Sequence, residues 1–269
     1  MGLEHATLGV LIIIALIVLP VLFYIKRARQ SREMYVRRIA GVDAIDEATG
    51  RAAELGKPIA FSSGLTTVSP VLYACLGVLF HVAKKSARYK THVLVPQNDP
   101  AVMAIADNVM REAYRAEGRL SAYDPKSIVY LSDEQFAFAA GYMGLVQRER
   151  IATAFLLGVF AAESLMLAEA GQQVGAMQVA ASITPEQVPF FICTCDYTLI
   201  GEELYGASAY LTKEPVQLGS LYGQDRAKLL FFCLIIVGTL ISTFNAVAPT
   251  LWGFSPVSNI TDWIVIEVW

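Results

Sequence analysis

IATAFLLGVFAAESLMLA, residues 151–168, is the stretch on which the fold turns. Its 18 residues are apolar enough to pass for a membrane crossing. It contains Glu163, however, and Glu169 follows at once. A carboxylate at bilayer depth costs at least ~2.5 kcal/mol even on the lenient insertion scale. The segment therefore reads as a buried strand over 151–157, followed by a buried helix over 160–170 that stops at Gly171. Glu163 then needs a partner inside a folded domain, with Arg148, Arg150 and Lys213 as the available bases.

Outward from this stretch, short apolar runs alternate with amphipathic ones. Helical periodicity covers 42–55, with Gly56 as its stop. Strands are expected at 58–61, 92–95, 127–131, 174–181 and 190–195. Between them, Ser69-Pro70 and Asp99-Pro100 each pair an N-cap residue with proline at the first helical position. Ser132 with Gln135, and Thr184 with Gln187, have capping-box spacing. A last helix is expected over 197–211. This alternation, with nearly continuous apolar strands, predicts an α/β fold. Its core is a doubly wound, mostly parallel sheet of the Rossmann-like kind. An all-helical domain is the rival reading, because stretches such as AGYMGL at 140–145 suit helices.

Two further runs lie outside this domain. Residues 6–25 and 229–248 are each 20 residues long without a charge. At 1.5 Å per residue each covers about 30 Å, the thickness of the hydrocarbon layer. Buried core helices are the bland alternative. The first run lacks the basic start and small-residue end of a cleaved signal peptide. Lys26, Arg27, Arg29, Arg32, Arg37 and Arg38 follow it, and Arg226 and Lys228 precede the second run. The expectation is a two-pass protein of the plasma membrane with its middle in the cytoplasm and both termini outside. The expected parts are an anchor at 1–26, a basic segment at 27–41, an α/β domain at 42–222, a second anchor at 223–248 and an aromatic tail at 249–269. Trp252, Trp263 and Trp269 all lie in that tail, which suits a membrane interface or a partner subunit.

Composition narrows the function classes. The 269 residues are 55% apolar and only 17% charged, with a net charge of −3. Such a balance argues against a nucleic-acid partner and against a disordered chain. Four cysteines form no disulfide framework, and three histidines make a histidine-rich metal site improbable. No metal or cofactor is expected.

In a doubly wound sheet, ligands sit at the carboxyl ends of the strands. The candidate ligand-binding residues there are Ser62, Ser63, Gly64, Asn98, Asp99, Ser132, Asp133, Ser182 and Asp196. Several precede helix N-termini, which favour anions such as a nucleotide phosphate or an acidic metabolite. The same residues would equally serve as helix caps. Neither GxGxxG nor GxxxxGK[ST] occurs. Cys193 and Cys195 are expected on one face of the sixth strand as buried thiols. His81 and His92 have no companion legible in the sequence, so no nucleophile–base pair can be assembled.

Two small-residue stripes suggest self-association. One is Gly201, Leu204, Ser208 and Leu211 on the last helix, and the other is Gly238 with Ser242 in the second apolar run. Either could instead pack within one subunit.

The stretches VRRIAGVDAIDEATGRAAELGKPIAF, DEQFAFAAGYMG, VPFFICTCDYTLIGEELYGASAYLTKEP and LGSLYGQDRAKLL resemble an uncharacterised family of bacterial membrane proteins, described only as a domain of unknown function. The resemblance runs from about Tyr24 to Ser242, implies the anchor–domain–anchor layout and supplies no catalytic residues. The segment matching Phe61 to Ser69 tends to look different in that family. Two functions remain in view: an oligomeric membrane scaffold or accessory subunit, and a membrane-tethered domain that binds or transforms a small ligand.

Overall fold

The computed structural model describes residues 8–30 and 40–252. It divides into two compact units, residues 35–214 and a second formed by 1–34 with 215–269. The larger unit opens with α2 (Ala40–Leu55), after the helix α1 (Leu8–Arg29) of the smaller one. There follow β1 (Ile59–Gly64), α3 (Pro70–Tyr89), β2 (Val93–Gln97), α4 (Pro100–Ala116), β3 (Ile128–Tyr130) and α5 (Gln135–Glu149). The second half supplies β4 (Thr153–Val159), α6 (Ser164–Gln173), β5 (Met177–Ser182), α7 (Val188–Thr194), β6 (Tyr197–Ile200) and α8 (Glu203–Thr212).

All six strands are parallel, in the order β3-β2-β1-β4-β5-β6. The chain starts at the centre, winds outward to β3, returns beside β1 as β4 and winds outward again. This is the doubly wound sheet expected from the alternation, and its switch point lies between β1 and β4. Side-chain alternation along the strands divides the core. Phe61, Val95, Phe155, Leu157 and Val179 face α2, α3, α4 and α8. Ala60, Ala154, Leu156 and Ala180 face α5 and α6. Alanine on that second face lets its helices approach closely.

The deciding stretch folds as β4 and α6, in the middle of the sheet, and six of the seven β4 residues are buried. It is not a third crossing. The expected sixth strand is corrected, because 190–195 lies mostly in α7 and the strand follows at Tyr197–Ile200. Val188 and Phe191, three residues apart, are buried, while Phe190 and Ile192 are exposed. That is helical spacing, which a short apolar run does not reveal by itself. Neither expected capping box forms. Ser132 accepts from the Glu134 backbone N–H at 3.1 Å, and Gln187 accepts from the Ser164 hydroxyl at 2.6 Å.

The expected stripe on α8 is used internally. Leu204 is fully buried, and a Cβ on Gly77 of α3 would meet Ser208 Oγ at 2.2 Å. Gly77 thus lets α3 and α8 touch.

In the smaller unit, α1 packs against α9 (Pro215–Trp252), which starts well before the expected second anchor. A Cβ on Gly219 would lie 2.6 Å from the Ile25 Cα, and one on Gly223 would lie 2.6 Å from the Val21 Cα. As numbers rise along α9 they fall along α1, so the helices are antiparallel. Gly219, Gly223 and Ala227, all buried and spaced by four, form the seam. Among the described residues this seam, not Gly238 with Ser242, makes the close helix contact, and nothing there lies within 4 Å of a Cβ on Gly238. Among the described residues one helix, over Pro215–Phe244, is long and apolar enough to cross a membrane, where two were expected. The first run begins outside the described residues, so α1 holds only part of it. Residues 31–39 of the basic segment, and the tail from 253 on with Trp263 and Trp269, also lie outside the described residues.

Gly158 at the switch point and Gly118 after α4 separate close packing from backbone conformation alone. Gly158 has φ of 149° and a Cβ there would lie 2.4 Å from the Ser63 carbonyl oxygen. Gly158→Ala should destabilise by ~3 kcal/mol or more in denaturant unfolding. Gly118→Ala, at φ 68° with nothing within 4 Å, should cost only ~1 kcal/mol.

Candidate functional site at the carboxyl ends of the strands

In a doubly wound sheet the crevice opens where the chain leaves β1 and β4 in opposite directions. Here that place is stitched. The Leu65 N–H donates to the Val159 carbonyl at 2.9 Å, extending the β1–β4 pairing past the strand end. The Thr66 hydroxyl donates to the Ser63 carbonyl at 2.5 Å and accepts from the Val159 N–H at 2.8 Å. Gly64 and Gly158 leave no room for side chains between the two loops.

The surrounding polar groups are also tied to one another. Ser63 donates to Gln97 Oε1 at 2.8 Å, joining the ends of β1 and β2. Ser62 accepts from the Gly64 N–H at 3.1 Å. Glu163, fully buried, accepts from the Ala161 N–H at 3.0 Å and from the Gln135 side-chain amide at 2.6 Å. Its partner is therefore an amide and a backbone N–H, not one of the bases Arg148, Arg150 or Lys213. Ser182 accepts from the Thr184 N–H at 3.1 Å, and Asp99 accepts from the Ala101 N–H at 2.7 Å as the cap of α4. Asp133 is exposed. Asn98 is half-buried, and its Oδ1 is buried without a hydrogen-bond partner.

The structure brings together Ser62, Ser63 and Gly64, with Asn98 following Gln97 at the neighbouring strand end. Ser132 and Asp133 follow β3, four strand spacings from Ser182 at the end of β5, or about 19 Å away. The expected position of Asp196 is corrected. Because the sixth strand begins after it, Asp196 sits at the amino end of the sheet, opposite the other candidates. There it accepts from the Gln178 N–H at 2.7 Å and lines a hollow of about 240 Å³ with Arg51, Gln172, Met177 and Thr194.

Sequence reasoning passed over Thr66, named Gln135 and Gln187 only for capping-box spacing, and gave Gln97 no role of its own. Only the S/T-rich composition of 62–69 hinted at the first. It also left His81 without a companion, whereas its Nε2 lies 2.7 Å from Asp46 Oδ1 on α2. Burial pushes the Asp46 carboxyl up, but hydrogen bonds from Lys85 and His81 outweigh it and hold the group below its ordinary value. No cluster of three or more His, Cys, Asp or Glu side chains suited to a metal occurs among the described residues.

Cys193 and Cys195 sit at the end of α7, Cys193 exposed and Cys195 half-buried, rather than on one face of a strand. Burial pushes the Cys195 thiol up to about 12. Burial does the same for Cys75, whose Sγ lies 3.0 Å from the Leu157 carbonyl.

Sequence comparison adds a family. The chain belongs to Domain of unknown function (DUF6754), whose profile matches residues 3–252. No curated protein and no solved structure matches the chain. Family membership covers both units and assigns no chemistry to the crest of the sheet.

Two measurements check this description. Gln135→Leu strips one hydrogen bond from a buried carboxylate and should destabilise by ~2 kcal/mol, while Glu163→Gln, which can still accept, should cost about half that. Equal effects would mean that Gln135 does not hold Glu163. Thiol alkylation at neutral pH should label Cys193 of the folded protein and leave Cys75 and Cys195 unmodified, because protonated thiols are poor nucleophiles.

Proposed function

We propose that this protein is a membrane-anchored scaffold or accessory subunit. In this reading α1 and α9 stand in the bilayer as an antiparallel pair, the α/β domain lies in the cytoplasm, and the chain assembles into a homo-oligomer. The observation that carries the reading is the closed switch point. Thr66, Ser63, Gln97, Glu163 and Gln135 bond to one another and to backbone where a ligand-binding member of this architecture keeps groups for its ligand. A polar network satisfied internally rigidifies a domain and offers little to a substrate.

Membrane placement is supported by the length and apolarity of α9 and by its exposed side chains, among them Ile235, Val237 and Leu240. The bases at 26–38, with Arg226 and Lys228, support a cytoplasmic middle. Self-association is supported by Gly238, a Cβ on which would meet nothing within 4 Å among the described residues.

Topology and assembly can be tested together. A reporter fused after Trp269 should be active outside the cytoplasm, and one inserted at Gly118 should be active inside it. Native electrophoresis in mild detergent should show an oligomer, which Gly238→Leu weakens without unfolding the α/β domain. A monomer at every detergent level would sink the scaffold reading. An unchanged cross-linked oligomer in Gly238→Leu would move the contact to the α/β domain. A thermal shift of that domain with nucleotides or acidic metabolites would instead favour the ligand-binding alternative.

A further inference from the structure

We propose that the foot of the α1–α9 pair binds the headgroups of anionic phospholipids, centred on Arg226 and framed by Tyr24 and Tyr222. The proposal rests on the reading that this pair stands in a bilayer.

The argument starts from register. Val21 faces Gly223 and Ile25 faces Gly219, so Arg226 lies alongside residue 18, inside the apolar run of α1. The two apolar runs are offset by roughly ten residues, or about 15 Å. A guanidinium at that level would be poorly solvated if it pointed sideways. Its side chain instead leans toward the N-terminus of its own helix, as helical side chains do. The guanidinium carbon lies 5.4 Å from the centre of the Tyr222 ring, and the group also interacts with the Tyr24 side chain. The two tyrosine rings are 5.2 Å apart. Because the helices are antiparallel, leaning this way carries the charge toward the last turn of α1.

That last turn holds Lys26, Arg27 and Arg29, all exposed. With Arg226 and Lys228, the described α1 and α9 carry five bases there against one acid, Asp225, while Glu214 directly precedes α9. A phosphate diester complements this charge. The guanidinium can hold two phosphate oxygens at once, and Tyr24 and Tyr222 suit the headgroup level. The surface on either side decides for a lipid over a free phosphate. Leu22 and Phe23 are 57% and 59% exposed, and Leu229 and Phe232 are 56% and 63% exposed. A ligand with a phosphate between apolar chains matches basic and apolar groups side by side.

The test uses the full chain in nanodiscs of equal phosphatidylcholine and phosphatidylglycerol, with retained lipids counted by native mass spectrometry. Phosphatidylglycerol should be enriched on the wild-type protein, and the enrichment should fall as salt is raised. Arg226→Gln should lower it about fivefold, the equilibrium value of one basic side chain at an anionic surface. Arg226→Lys should keep most of it, and Lys126→Gln, in the α/β domain, should leave it unchanged. Equal retention of the two lipids by the wild type, or enrichment indifferent to salt, would overturn the proposal even if Arg226→Gln fails to fold. Loss of the enrichment on adding millimolar inorganic phosphate would assign the site to free phosphate and overturn the lipid. A protein that enters no nanodisc would overturn both this inference and the membrane reading beneath it.

Discussion

The pairing of β1 with β4 is the contact on which the larger unit depends. These strands are distant in the chain, yet Phe61 stands opposite Phe155 and the register holds from Ile59 to Ser62. Beyond Ser62 the register shifts, and Gly64 comes opposite Val159. Only glycines allow the two loops to come this close, since side chains at 64 or 158 would collide with backbone. Once that pair is formed, each half of the chain has one direction in which to wind, and right-handed crossovers place α3 and α4 on one face and α5 and α6 on the other.

The same closeness changes the chemistry of the crest. An open switch point exposes backbone N–H groups to a ligand, whereas here the Val159 N–H donates to the Thr66 hydroxyl and the Leu65 N–H to the Val159 carbonyl. Glu163 shows the price of a polar residue in such a place. It is fully buried without a basic partner, and the hydrogen bonds from Gln135 and the Ala161 N–H replace the water it has lost. The network therefore contributes to the position of α5 relative to α6. It leaves Asn98 Oδ1 as the buried polar atom near the crest with nothing to accept.

In the smaller unit the governing fact is the absence of side chains at Gly219 and Gly223. Without side chains there, the two backbones come into direct contact. Glycines at a spacing of four provide it, and they set the register as well. That register places Arg226 beside the apolar part of α1, and the lean of its side chain toward Tyr222 and Tyr24 is the physical answer.

How much of this was legible beforehand follows from the range of each signal. Alternating strands and helices, the Ser69-Pro70 and Asp99-Pro100 starts and the folding of 151–170 into the α/β domain come from local periodicity and the cost of Glu163, and they hold. The 20-residue runs likewise declare their apolarity without any partner. Strand order is a pairing between distant segments and has no local signature, so only the tertiary structure placed β4 beside β1 and closed the crevice. Residues 190–195 show the limit most clearly. An apolar run of that length suits a strand or a turn or two of helix equally, and burial of Val188 and Phe191 alone decides for the helix. That one change moves Asp196 to the opposite end of the sheet. The glycine seam is a similar case, for Gly219, Gly223 and Gly238 look alike in sequence, and what distinguishes them is whether another helix lies against them.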